Sequence, residues 1–256
     1  MCLIFLSLNS HPVYKLIVAA NRDEFYQRKT APAEYWDDYS TILGGRDLEA
    51  NGTWLGMTRT GKISLLTNYR DPKNINPKAP SRGQLVSDYL ASQMDPAEYL
   101  NKVAALAKQY NGFNLVAGNI DSLYYMSNYA TGVHPIDDGI HGLSNALLDT
   151  PWPKVTRGKQ RFEALLEGPF TTQQLFEFLY DDHRAADVDL PNTGIGLERE
   201  RALSSMFIKT DNYGSRCSTV VLVDHQNRVT FSERVYDTSD FTFSLRTFEF
   251  SVGHSA

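Results

Sequence analysis

Two apolar runs at the start of the chain, Met1-Cys2-Leu3-Ile4-Phe5-Leu6-Ser7-Leu8 and Val13-Tyr14-Lys15-Leu16-Ile17-Val18-Ala19-Ala20, carry the reading of the fold. The first stops at the polar turn Asn9-Ser10-His11-Pro12. A short apolar run bounded by turn formers reads as a buried strand. It lacks a basic flank and a small-residue cleavage site, so it does not read as a signal peptide. The second run then pairs antiparallel with the first. If Leu8 faces Val13, Cys2 lies opposite Ala19, and Asn21-Arg22-Asp23-Glu24 falls just beyond the chain terminus. Cys is small enough for an initiator Met to be removed in front of it. Cys2 would then carry a thiol and a free α-amine, which titrate near ~8.5 and ~8. Together they make a nucleophile with its own base. Arg22 would favour the thiolate, and Asp23 would hold the ammonium or steer its proton. The alternative is a polar strand end whose charges pair with one another in solvent.

With 256 residues, 42% hydrophobic and 21% charged, the chain has the balance of an ordinary globular protein with a substantial core. The expectation is a single domain over 1–256, with no repeat and no linker. A formal net charge of −5 argues against a nucleic-acid partner. No apolar run approaches the roughly 20 residues of a membrane span. Cys2 and Cys217 are the only cysteines. With no secretory segment they read as reduced thiols in a cytoplasmic protein.

Further along, Thr30 to Asn51 reads as loop-rich, with Gly44-Gly45-Arg46-Asp47 as a turn signal. Thr53–Met57 and Lys62–Leu66 read as a hairpin running on to Asn68. Ser81-Arg82-Gly83-Gln84 has the form of a capping box before a helix, and Asp95-Pro96 starts a second. Strands return at Phe113–Ala117, Leu123–Met126 and Gly139–Asn145. The glycines of the last suggest close backbone approach. Asn68 and Asn145 both end strands, where they serve either as oxyanion donors or as turn residues. A helix follows Trp152-Pro153, and Thr172 caps another. Asp181-Asp182-His183 lacks a second ligand pair, and no metal site is assigned. Residues 184–196 read as a mobile lid. In the last third, Arg216–Val223 and Val229–Val235 form a hairpin, and Phe241–Leu245 and Phe248–Val252 alternate as two half-buried strands. Cys217 reads as a small buried hydrophobe. Arg216, heading its strand, is either a second cation in the site or a surface charge.

Alternating groups of strands and helices suggest an α+β fold, a four-layer αββα sandwich of two antiparallel sheets. With a nucleophile opening the first strand, that layering resembles the N-terminal nucleophile (Ntn) hydrolases. Met1-Cys2, Asn21-Arg22-Asp23-Glu24, Gly52-Thr53-Trp54-Leu55-Gly56, Leu143-Ser144-Asn145 and Arg216-Cys217-Ser218-Thr219-Val220 together resemble the NRDE family of transport and Golgi organisation protein 2 homologues. The resemblance runs from the first residue to about Glu233. At longer range it extends to the bile-salt and penicillin V acylases. It implies Cys2 as nucleophile, Arg22 and Asp23 as its immediate partners, and Asn68, Asn145 and Arg216 as the rest of the catalytic set. Arg22 and Asp23 are adjacent here, whereas the acylases separate the two, so both reach Cys2 only if the chain bends. The resemblance further implies either a carrier of an apolar ligand, haem or a lipid or acyl-CoA, or a hydrolase of non-peptide amides. Hydrolysis would need no cofactor. With no Cys-x-x-Cys-His motif, any haem would be held non-covalently.

Overall fold

The computed structural model describes residues 2–253, so the expected removal of Met1 lies outside the described residues. In chain order the strands and helices are β1 (Cys2–Leu8), β2 (Tyr14–Phe25), β3 (Thr30–Tyr35), β4 (Ile42–Asp47), β5 (Leu55–Thr58), β6 (Lys62–Asn68), α1 (Gly83–Ala91), α2 (Pro96–Leu106), β7 (Phe113–Asn119), β8 (Leu123–Ser127), β9 (His134–Pro135), β10 (Gly139–Leu143), α3 (Pro153–Leu166), α4 (Thr172–Leu179), α5 (Leu197–Ala202), β11 (Tyr213–Asp224), β12 (Arg228–Tyr236) and β13 (Phe243–Ser251). They form a six-stranded sheet, β10-β1-β2-β11-β12-β13, and a seven-stranded sheet in sequence order from β3 to β9. All pairings are antiparallel.

The period of two in β1 sorts its side chains into two cores. Cys2, Ile4, Leu6 and Leu8 join Leu16 and Val18 of β2 and Leu55, Ile63 and Val116 of the other sheet between the sheets. Leu3 and Phe5 instead meet Phe162 of α3 and Phe176 of α4 on the outer side. On the far side of the second sheet, Val86 and Tyr89 of α1 and Leu100 of α2 cover Leu66 and Leu115. The layers therefore run helix, sheet, sheet, helix, as expected for the αββα sandwich. No helix of the described residues is long and apolar enough to cross a membrane.

Several local expectations give way to packing. The stretch containing Gly44 and Gly45 is strand β4, not a turn. A Cβ on Gly45 would lie 2.3 Å from the Trp54 ring, so glycine is there to admit the indole, not to bend the chain. Helix α1 has Arg82 at its N-cap position, with no side-chain cap, so Ser81 and Gln84 form no capping box. The reciprocal box appears at α4, between Thr171 and Gln174, one residue before the expected cap. The last two alternating runs are one continuous strand, β13, paired with β12 along its whole length. Of the two glycines of β10, Gly142 behaves as read, since a Cβ there would meet Val155 of α3 at 2.8 Å, whereas nothing lies within 4 Å of a Cβ on Gly139, which has a φ of 133°.

Candidate active site around Cys2

The opening hairpin pairs Leu8 with Leu16 and Cys2 with Arg22, which corrects the expected register by three residues at the far end. The connection is wider than a four-residue turn. Asn9 takes a left-handed φ of 49°, and its N–H bonds the Lys15 carbonyl at 2.8 Å. Strand β2 also runs to Phe25, so Asn21-Arg22-Asp23-Glu24 lies inside a strand rather than beyond its end. Directly opposed residues in an antiparallel pair project from the same face, their Cα atoms roughly 4.5–5.5 Å apart. Arg22 thus continues the row Leu16, Val18, Ala20 toward Cys2 between the sheets.

Arg22 is 4% exposed. Its guanidinium stacks on Trp54, 4.1 Å from the ring centroid, and Nη1 donates to Thr30 Oγ1 at 3.0 Å. Asp23 is fully buried and accepts a 2.6 Å hydrogen bond from Ser215 Oγ. The bend that both residues require comes from the partner strand. Ser215 pairs with Asp23 and Cys217 with Arg22, leaving Arg216 as an extra residue. Such a bulge sharpens local twist and re-aims side chains, and here Cys2, Arg22 and Asp23 all line one cavity. Arg216 itself turns away. Its Nη1 reaches the carbonyls of Phe25, Tyr26 and Arg28 at 2.9–3.0 Å, fastening the turn after β2 rather than lining the cavity. Asn21 faces outward and donates to the carbonyls of Leu179 and Met206, so it ties the helical layer to the sheet.

The cavity measures about 840 Å³. Its apolar wall includes Phe25, Trp54, Leu66, Ile195 and Leu203, and five arginines, Arg22, Arg28, Arg70, Arg82 and Arg199, line it as well. Asn68 is on the wall. Asn145 is not: its Nδ2 donates to the Asn68 backbone carbonyl at 2.9 Å, so it holds Asn68 in place. Burial pushes the Cys2 thiol above its ordinary value, and Arg22 offsets this only in part. Arg22 thus favours the thiolate, as expected, but desolvation outweighs it. Burial likewise raises the Asp23 carboxyl, against the opposing pull of Lys154.

Several charged groups around the site carry no motif in the sequence. Arg70 and Glu200 form a buried ion pair at 2.8 Å, with Arg70 also 4.7 Å over the Trp152 ring. Lys154 is buried in α3, and burial lowers it to about 8. Glu233 lies behind Arg22 between the sheets and accepts from Ala33 N at 2.6 Å. Cys217 is buried and free, as is Cys2. Arg70, Glu200, Lys154 and Glu233 were not among the candidate residues read from the sequence, whereas Cys217 was read there as a small buried hydrophobe. The segment 184–196 contributes Ile195 to the cavity wall, and Thr193 anchors it to Glu200 through its N–H and hydroxyl. Asp181 is held by Arg157 and Arg161, and no metal-ligating cluster occurs among the described residues.

Against known proteins, the family described as Transport and Golgi organisation 2 matches residues 1–238. The chain is 38% identical to a Transport and Golgi organization 2 homolog of Mus musculus, over 98% of this chain and 99% of that protein. It is 40% identical to a Transport and Golgi organization protein 2 homolog of Bos taurus, with 98% and 99% covered. Among solved structures it is similar to the Caenorhabditis elegans N-acylethanolamine-hydrolyzing acid amidase ortholog, at TM-score 0.51 and 13% identity, over 86% of this chain and 92% of that one. At that identity the likeness speaks for the fold alone, which is Ntn-hydrolase-like.

Proposed function

The chain belongs to the Transport and Golgi organisation 2 family, and from that premise we propose that it hydrolyses a non-peptide C–N amide at Cys2, on a ligand whose apolar part lies in the adjoining cavity. One observation carries the reading: Cys2 opens onto a cavity of about 840 Å³ and lies directly opposite the buried Arg22 in the strand register. Removal of Met1 frees the α-amine of Cys2. A thiol raised by burial needs a base at the moment of attack, and that amine is the nearest one covalently available. It takes the thiol proton as sulfur adds to the amide carbonyl, with Arg22 stabilising the sulfur's charge. Asn68 supplies an amide donor on the cavity wall for the oxyanion. The C–N bond then breaks, the leaving nitrogen takes the proton from the α-ammonium, and Asp23 holds that ammonium in place. Water adds to the thioester, releasing the acid and restoring the thiol.

Intact mass of the purified protein reads Met1 removal, and a panel of N-acyl amides reads acyl transfer to Cys2 against Cys217. The expected result is a chain lacking Met1, with acylation confined to Cys2 and abolished in Cys2→Ala. Retained Met1, or acylation that survives Cys2→Ala, overturns the reading.

A carrier for an apolar acid, haem included, is the second reading, and the arginines lining the cavity favour it by offering partners for carboxylates. Among the described lining residues there is neither His nor Met. A haem iron there would have the Cys2 sulfur, or the oxygen of Tyr69 or Tyr213, as its protein ligand. Under the hydrolase reading, titration with haem, followed in the Soret band, is expected to give little shift. A strong Cys2-independent shift at micromolar protein would favour the carrier.

A further inference from the structure

The five cavity arginines differ in how they are balanced. Arg28 is paired with Asp47 at 2.7 Å and Arg70 with Glu200, so both are neutralised within the protein. Arg22 stacks on Trp54 beside Cys2. Arg82 is different: its Nη1 donates to the Gly112 carbonyl at 2.8 Å, and it makes no ion pair among the described residues. Its backbone is set by a close approach. Thr53 N donates to the Gly83 carbonyl at 3.1 Å, and a Cβ on Gly52 would meet Gly83 at 2.4 Å. The segment Gly52-Thr53-Trp54 therefore backs both residues: its indole stacks on the Arg22 guanidinium, and its backbone packs against Gly83, next to Arg82. Cys2 and Glu24 lie close enough to act on the charge of Arg82. Arg199, exposed and on the α5 wall of the same cavity, also makes no ion pair among the described residues. Four acids share this lining: Asp23 accepts from Ser215, Asp47 pairs with Arg28, Asp71 accepts from Tyr129 and Asn74, and Glu24 accepts from Phe25 N and acts on Arg82 without forming an ion pair with it.

A cavity guanidinium that makes no ion pair with a carboxylate of the chain offers a planar fork of donors suited to an incoming carboxylate. We infer that Arg82, with Arg199 on another wall, binds a carboxylate on the substrate whose amide meets Cys2, so that the preferred substrates are N-acyl amino acids rather than neutral N-acyl amides. The word substrate rests on the hydrolase reading above; the anion subsite does not.

The test compares N-dodecanoylglycine with N-dodecanoylethanolamine, which share the acyl chain and differ in charge. Wild type should show the higher kcat/KM on the glycine conjugate. Arg82→Gln should lower the ratio of the two kcat/KM values at least tenfold, chiefly through KM, and Arg82→Lys should restore part of it. An unchanged ratio, or a wild-type preference for the neutral amide, overturns the inference. Calorimetry on Cys2→Ala with the same two compounds separates the subsite from the chemistry. Tighter binding of the glycine conjugate that Arg82→Gln removes upholds the subsite even if no turnover is found with either compound, whereas equal binding of the two overturns it.

Discussion

At the scale of single residues, the site is a contest between burial and charge at one sulfur. Burial raises the Cys2 thiol, and the amino-terminal charge and Arg22 lower it, so deleting the guanidinium removes one of two opposing cations. Alkylation of Cys2 by iodoacetamide, followed by mass across pH, should show an inflection above that of a free cysteine. In Arg22→Gln the inflection should move further up, with alkylation several-fold slower at pH 8; an inflection that moves down would show that Arg22 does not act on the sulfur. Cys2 and Arg22 were legible in the sequence because chemistry restricts both: a cysteine next to the initiator, and a guanidinium where an apolar strand turns polar. Lys154 and Glu200 were not. They lie in helices among other charged residues, where nothing in the pattern separates a solvated charge from a buried one. Asn145 and Arg216 show the converse. The residue types suit catalysis, yet Asn145 holds a neighbour's carbonyl and Arg216 clasps a turn.

At the scale of elements, register and bulges decide what meets what. The antiparallel opening hairpin was readable from its two apolar runs, but its register was not, because Asn9 in the left-handed region opens the turn. The bulge at Arg216 left no mark either, since an extra residue in an alternating strand looks like a lapse in alternation. Strands from the two sheets are also joined by a carboxyl group. Glu233 of β12 accepts from Ala33 N of β3 at 2.6 Å, and burial raises it to about 7 from an ordinary 4.5. Between those values the folded chain keeps a proton that the unfolded chain has lost. Stability should therefore fall as pH rises from about 4.5 to about 7, by at most about 3 kcal/mol. Glu233→Gln should flatten that slope in urea denaturation between pH 5 and 8; an unchanged slope would assign the pH dependence to other groups.

For the whole molecule, two sheets with a core between them and helices outside follow from the order of apolar runs, and this architecture was the most legible feature. The walls of the cavity come from both sheets and from α5, and the Arg70–Glu200 pair joins two of them, with side chains only 6% and 5% exposed. Removing one partner of a buried pair costs about 3–5 kcal/mol, whereas replacing both with apolar groups of similar volume is often near neutral. Arg70→Met should thus destabilise far more than Arg70→Met with Glu200→Leu, as read by denaturant midpoints; equal losses would mean that the pair is not coupled.

The inner strand β1 has a practical corollary. It lies between β10 and β2, buried along its length, and its first described residue opens into the cavity. An affinity tag fused upstream of Cys2 without a cleavage site would keep the Cys2 nitrogen acylated, next to that opening. Under the proposed hydrolysis, recombinant protein tagged there should look inert. A tag placed after β13, at the outer edge of the same sheet, leaves the opening clear.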